Sequence, residues 1–131
     1  MQAALYREAA AKVGRKPRVV LMRDGWVAPS QDEAERGFGP LWVQDMLFYF
    51  RWCLLTPNPQ FYNEADFTVA RLTKFLVLGD PQTCVYQMGF CSEVVDADYV
   101  VLRCRVPLGP SRLQNLDRIQ LFGEEVLPKL K

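Results

Sequence analysis

Two arginines, Arg103 and Arg105, lie two residues apart at the end of a short apolar run. Because alternate residues of an extended strand point to the same side, we expect both guanidinium groups on one side of the strand end. There they could bind a phosphate or a carboxylate through charge-assisted hydrogen bonds. The alternative is a solvated edge or ion pairs with nearby aspartates, for which Asp24, Asp96 and Asp98 are available.

A second group of polar and aromatic residues ends an earlier apolar segment, residues 18–28, and contains Arg23, Asp24 and Trp26. If the two segments are parallel strands, their C-terminal ends meet at one edge of the sheet, where α/β folds place their ligands. Arg23 could then belong to the same binding site. Trp26 could stack on a planar ligand, although a tryptophan near a strand end also commonly belongs to a core or an interface.

The elements that must position these residues are marked by local sequence. Residues 75–78 are an apolar run typical of a buried parallel strand, and Asp80 and Pro81 follow with the chemistry of a helix start. Residues 99–102 predict another strand, and residues 109–111 open a last helix that ends near Pro128. We therefore predict two successive βα units. The last helix has one apolar stripe that we expect to be buried, formed by Leu113, Leu116, Ile119, Phe122 and Val126.

The N-terminal half predicts a helix over residues 1–13, with an apolar stripe, followed by a strand over residues 18–28. Ser30 and Glu33 have the spacing of a capping box, which predicts a helix start. Because glycine and proline disfavour a helix interior, we expect an interruption at residues 37–40.

After the interruption, an aromatic-rich helix is predicted over Leu41–Leu55, apolar on nearly all sides and broken only by Gln44, Asp45 and Arg51. Residues 56–59 contain two prolines and should end this helix. Residues 60–73 show a weak pattern, which predicts a loop with a helical turn.

Several kinds of chemistry are excluded or weakly indicated. The chain has no histidine, so neither a Ser-His-Asp nor a Cys-His arrangement can form within it. Its four cysteines form no Cys-x-x-Cys pair, and we expect small buried thiols, not a metal site. Asp96 and Asp98 form an Asp-x-Asp pair, but no calcium-loop pattern accompanies it. We therefore predict no metal.

The composition is that of a globular protein. Half of the 131 residues are hydrophobic, and 16 basic residues are interspersed with 15 acidic ones for a net charge of +1. No basic run could follow a phosphate backbone, so a nucleic-acid partner is not expected. No segment reaches the ~18 consecutive apolar residues of a membrane span, and Arg7 and Glu8 interrupt the region where a signal peptide is apolar. We expect a cytoplasmic protein with no membrane partner.

The order FLVLGDP, helix, ADYVVLRCRVPLGP, helix, LFGEEVLPKLK resembles the C-terminal portion of the luciferase-like flavin-dependent monooxygenases. The segment RVVLMRDGWVAPSQDEAE is similar to the strand and helix start that precede this portion. These matches cover most of the chain except residues 41–72. The resemblance implies part of a (β/α)8 barrel, FMN or a deazaflavin as cofactor, a small-molecule substrate and oxidoreductase activity. It would make reduced flavin the anion for Arg103 and Arg105, and isoalloxazine the ring for Trp26.

A (β/α)8 barrel typically needs about 250 residues, so this chain corresponds to about half a barrel. We expect a single α/β domain over residues 1–131 that associates, either with itself or with a complementary half, because half a barrel exposes a strand edge and apolar surface. A small rearranged open sheet is the third arrangement compatible with the length. The rival hypothesis for function is a catalytically silent α/β module that dimerises through the aromatic helix.

Overall fold

The computed structural model describes residues 2–53 and 61–130, which form helices around a small parallel sheet. The strands are β1 (Val20–Val27), β2 (Val77–Gly79) and β3 (Tyr99–Arg103). The helices in these ranges are α1 (Gln2–Lys12), α2 (Gln31–Arg51), α3 (Val69–Leu72), α4 (Pro81–Val95) and α5 (Arg112–Glu125), and three short 3-10 turns cover Glu64–Asp66, Thr73–Phe75 and Leu127–Lys129.

The sheet has the order β2–β1–β3, and both pairings are parallel. The first half of β1 pairs with β3, from Val20 opposite Tyr99 to Asp24 opposite Arg103. The last three residues of β1 pair with β2, from Gly25 opposite Val77 onwards. The predicted α/β class with short parallel strands is therefore confirmed, with the first strand in the middle.

Helices cover both faces of the sheet. Trp26 and Leu78 pack in one core cluster with residues of α2, whereas Val27 and Val77 pack in a second cluster with residues of α4 and α5. Because successive strand residues point to opposite faces, α2 lies on one face and the pair α4 and α5 on the other.

Helix α2 corrects one prediction. It runs without a break through the expected interruption at residues 37–40, with Pro40 inside it. Tertiary packing outweighs the cost of glycine and proline here: Phe38 is fully buried, and a Cβ on Gly37 would lie 2.7 Å from the ring of Trp26. The aromatic helix predicted over Leu41–Leu55 is therefore the second half of α2, which ends at Arg51. Leu54, Leu55 and the proline-containing residues 56–59 that were expected to end the helix lie outside the described residues.

The helix starts follow the predicted chemistry with one exception. The Ser30 hydroxyl accepts a hydrogen bond from Glu33 N, and Asp80 accepts one of 2.8 Å from Thr83 N, as expected. The Glu33 carboxylate, however, binds the guanidinium of Arg118 in α5. The reciprocal half of the predicted capping box is thus replaced by a contact between two helices.

The predicted apolar stripe of α5 is not buried along its length. Val126 is fully buried, but Leu113 is 75% exposed, and Leu116 and Ile119 are exposed as well. The stripe of α1 is exposed in the same way at Leu5. Helical periodicity correctly located these helices but could not show that little of the described chain covers their apolar faces.

Candidate functional site

The C-terminal end of β3 meets the middle of β1 at an ion pair between Asp24 and Arg103, which are register partners. Arg103 Nη2 donates to Asp24 Oδ2 at 2.9 Å, and Arg103 Nε donates to Asp24 Oδ1. The guanidinium and the carboxylate therefore form a bidentate pair, the geometry in which arginine binds a carboxylate most specifically. Of the alternatives left open by the sequence, the structure places Arg103 in the ion pair with Asp24.

Helix α2 adds two side chains to this pair. The indole Nε1 of Trp42 donates to Asp24 Oδ2 at 2.8 Å, and Asp45 Oδ2 lies 3.4 Å from Arg103 Nη2. Asp45 is only 4% exposed, in contrast to the other described aspartates. Trp42 and Asp45 lie three residues apart and hence on one helix face, which brings both side chains to the Asp24–Arg103 pair.

The charges of this cluster are unbalanced, because two carboxylates share one guanidinium. Burial raises the pKa of Asp45, and the neighbouring charge of Asp24 adds to the increase, while Arg103 opposes it. The hydrogen bond to Asp24 raises the pKa of Arg103 further above its already high value. With every group ionised the cluster carries a net charge of −1. It therefore suits hydrogen-bond donors better than a second anion.

Trp26 lies on the same face of β1 as Asp24, two residues further along, but in the core. Its ring stacks on Phe38 with centroids 6.1 Å apart, and the guanidinium carbon of Arg118 lies 5.2 Å from its ring centroid. Both contacts occupy the indole with protein groups. The structure thus gives Trp26 a core environment, which the sequence left open beside a stacking role.

Arg105 has different partners from Arg103. Strand β3 ends at Arg103, so the alternation that was expected to align the two arginines does not reach Arg105. Its Nε donates to the carbonyl oxygen of Pro110 at 3.2 Å, directly before α5. This contact places a guanidinium next to the start of α5, where a capping box between Ser111 and Gln114 satisfies the backbone N–H groups of both residues. The N–H groups of Arg112 and Leu113 remain without a partner within the helix.

Arg23 lies on the face of the sheet opposite to Asp24. Its Nη1 donates to the carbonyl oxygen of Met22 at 3.1 Å, and its side chain lines a cavity beside α4. The structure therefore brings together Asp24, Arg103 and the α2 residues, and it separates Arg23 from them.

Sequence reasoning missed the contribution of α2. Asp45 interrupts an otherwise apolar helical segment, and that interruption was the available signal, because a lone carboxylate on an apolar face needs a partner. The role of Trp42 had no separate signal within its aromatic surroundings. Arg118 lies outside the predicted apolar stripe of α5, and its contact with Trp26 depends on how α5 packs beside β1.

The described residues contain neither a cluster of metal-ligating side chains nor a membrane-spanning helix. No group of three or more histidine, cysteine or acidic side chains is placed to hold a metal ion there. Asp96 pairs with Arg7, and Asp98 accepts a hydrogen bond from Val19 N. Among the described helices, none has the length and hydropathy needed to cross a membrane.

The fold has counterparts among solved structures. It is similar to the monooxygenase RslO1 from Streptomyces bottropensis, with 18% identity, a TM-score of 0.71, and coverage of 96% of this chain and 36% of that one. It is also similar to the oxygenating constituent of 3,6-diketocamphane monooxygenase of Pseudomonas putida, a type II Baeyer-Villiger monooxygenase in complex with FMN, with 17% identity, a TM-score of 0.64, and coverage of 98% and 39%.

These values describe a likeness of fold. The chain has the α/β arrangement of a partial TIM-barrel-like fold and spans 36–39% of the length of these two proteins. No family model matches the sequence, and no curated protein matches it either.

Proposed function

We propose that this chain is part of a luciferase-like flavin-dependent monooxygenase that binds FMN at the C-terminal end of β3, beside Asp24 of β1. The observation that supports it most is the likeness over nearly the whole chain to two monooxygenases, one of them in complex with FMN. The choice of this edge of the sheet as the binding site follows a general rule, since parallel α/β folds bind ligands outside the carboxyl ends of their strands.

The residues at this edge fit different parts of a flavin nucleotide. Arg105 and the N–H groups of Arg112 and Leu113, which the capping box of α5 leaves unsatisfied, would form a site for a phosphate, because a guanidinium and a helix N-terminus both attract anions. The Asp24, Arg103 and Asp45 cluster, with its excess negative charge, would accept hydrogen bonds from hydroxyl groups. A deazaflavin nucleotide carries the same two kinds of group.

Bound flavin would supply the oxygen or hydride chemistry. This chain's part is to hold the phosphate at Arg105, to orient polar groups at Asp24 and to exclude water with the aromatic residues of α2. Asp45 can retain its proton at a higher pH than an aspartate usually does, because burial raises its pKa. The substrate would be a small molecule bound at the same edge.

We further propose that activity requires a complementary part of the barrel. On the sheet face of α2, the paired residues Val20 and Tyr99, and Met22 and Val101, are all exposed, Met22 by 64%. An exposed apolar sheet face of this kind is normally covered. The edge of β2 is already blocked, because the Gln87 side chain binds both backbone groups of Leu78. Further strands would therefore add beside β3 or beside the first half of β1.

Retention of FMN tests the binding proposal. The purified chain is mixed with FMN and passed through a desalting column, and the proposal predicts that flavin absorbance elutes with the protein. A colourless protein fraction, at protein concentrations well above the micromolar range, contradicts flavin binding.

The second candidate function is an interaction module that dimerises through α2. It is favoured by the exposed aromatic residues at the end of that helix, Phe48 and Trp52, the latter 67% exposed. Light scattering separates the two candidates when it is combined with the FMN experiment. A dimer that dissociates on Trp52→Ala and never retains FMN supports the interaction module.

A further inference from the structure

A groove beside α4, away from the edge proposed for FMN, combines aromatic walls with positive charge. It has a volume of about 210 Å³ and lies between the segment that precedes β2 and the face of α4 that carries Tyr86, Phe90 and Val94. These three residues are four apart and therefore line one side of the helix. The groove is at the N-terminal end of β2, opposite to the carboxyl ends of the strands.

Several large apolar side chains on the groove walls are exposed to solvent. Tyr86 is 73% exposed, and Phe90 and Phe75 are exposed as well. A contiguous exposed patch of this kind marks a binding surface more often than a lone exposed aromatic residue does. The three rings belong to α4 and to the turn Thr73–Phe75, so a flat ligand can contact aromatic faces from two elements.

The charges of the groove are of one sign. Arg23 and Lys74 line it, and no acidic residue does. Within the described ranges, neither cation forms an ion pair. A larger cavity of about 530 Å³ on the other side of α4 has charges of both signs in its lining, from Glu93, Asp98 and Lys129. An anion is therefore favoured in the groove and disfavoured in the cavity across the helix.

We infer that the groove beside α4 binds a planar aromatic carboxylate or a similar small aromatic anion. The ring lies against Phe75, Tyr86 and Phe90, and the acidic group binds Lys74 and Arg23. This site is independent of the proposed flavin edge, because no residue of the Asp24, Arg103 and Asp45 cluster lines it.

Binding of 2-naphthoate tests the inference, with 2-naphthylmethanol as the neutral analogue of the same ring. Saturation-transfer NMR and a fluorescence titration of the full chain measure both ligands. We expect the carboxylate to bind at least about fivefold more tightly than the alcohol, because hydrogen bonds to charged groups are stronger than neutral ones. Equal affinities for the two ligands would overturn the proposal.

Two matched pairs of variants locate the site. Lys74→Gln should weaken 2-naphthoate binding about three- to tenfold, whereas Lys129→Gln, which removes a lysine from the opposite cavity, should leave it unchanged. Tyr86→Ala should weaken both ligands, whereas Tyr62→Ala, at a similarly exposed tyrosine outside the groove, should weaken neither. Equal effects within either pair would place the ligand elsewhere.

The alkylation rate of Cys91 reports on binding in the unmodified sequence, because Cys91 lines the groove. The exposed Cys53 lies outside the groove and serves as the internal control. Saturating 2-naphthoate should slow alkylation of Cys91 at least about threefold and leave the rate at Cys53 unchanged, as a ligand protects what it covers in proportion to its occupancy. Unchanged alkylation of Cys91 in the presence of bound ligand overturns the assignment. Protection of Cys91 by self-association, without any binding of 2-naphthoate, overturns it as well and makes the groove a contact between copies.

Discussion

Asp45 Oδ2 lies 3.4 Å from Arg103 Nη2, while the same guanidinium makes its shorter bonds to Asp24. Asp45 is thus the more weakly paired of two carboxylates, although it is the more buried one. Its negative charge is correspondingly costly, and burial raises its pKa. This relationship determines how the stability of the protein should depend on pH.

Asp45→Asn should leave the protein as stable as the wild type at pH 7 or stabilise it by ~1 kcal/mol, because it removes a buried charge while Arg103 keeps its bonds to Asp24. In the wild type, the pKa of Asp45 is higher in the folded protein than the value of about 3.9 in the unfolded chain. The protonated carboxyl therefore favours the folded state, and this contribution to stability is lost as the pH rises from the unfolded pKa through the folded pKa. The advantage of the variant should therefore grow from pH 4 upwards and disappear below it. Urea unfolding at several pH values measures this, and a pH-independent difference would contradict it.

Arg103→Met should destabilise the fold by ~2–4 kcal/mol at pH 7, because it leaves the buried Asp45 and the partly buried Asp24 without their shared cation. The loss should shrink as the pH falls towards about 4, because burial raises the pKa of Asp45 and this carboxylate then becomes protonated. Thermal unfolding at pH 7 and pH 3.5 compares the two conditions. An equal loss at both would mean that lost packing of the arginine stem, not charge, is responsible.

Gly37→Ala should destabilise the protein by ~1–3 kcal/mol, because the new methyl group would lie 2.7 Å from the buried ring of Trp26. Gly89→Ala is the matched control: it lies in α4 with nothing within 4 Å and should stabilise by up to about 1 kcal/mol. Chemical denaturation of both variants provides the comparison. A stabilising Gly37→Ala would imply that α2 does not pack on Trp26 as described.

Asp80→Ala should cost ~1 kcal/mol by removing the hydrogen bond to Thr83 N at the start of α4. FMN retention should not change, because the turn acts as scaffold. Asp117→Ala, within α5, serves as the control for a surface aspartate. A collapse of flavin retention with an unchanged urea midpoint would reassign the turn to the binding site.

The cysteines should differ in reactivity according to burial. Burial raises the pKa of Cys84 to about 12, so its thiolate is scarce at pH 8, whereas Cys53 is exposed. Alkylation followed by mass spectrometry should modify Cys53 rapidly and Cys84 only after unfolding. Rapid modification of Cys84 in the folded protein would contradict the core around Val27 and Met88.

The elements were predictable where the signal is local. Asp80, Ser111 and Ser30 mark helix starts through their own side chains, and the strands follow from short apolar runs. The continuity of α2 through Pro40 was not predictable, because it depends on contacts between Phe38, Trp26 and distant strands. Propensity describes a helix in isolation, and tertiary packing overrides it.

The site was predictable only in part. Arg103 lies at the end of its strand as expected, and Asp24 was one of three aspartates expected as its partner. Asp24 itself lies inside β1, three residues before that strand ends. The pairing of Asp45 with Arg103 spans 58 residues and depends on the rotation of α2, which no local pattern records. Arg23 was assigned to the same edge, but strand alternation places it on the opposite face from Asp24.

The central claim is that FMN binds at the strand ends with its phosphate at Arg105, and a titration of FMN fluorescence tests it most directly. The wild type should quench FMN saturably. Arg105→Met should weaken binding by ~1.5–3 kcal/mol, the range for hydrogen bonds to charged groups, while Arg15→Met, which removes an exposed arginine elsewhere, should have no effect. No saturable quenching by the wild type, or equal affinity in all three proteins, would contradict the account.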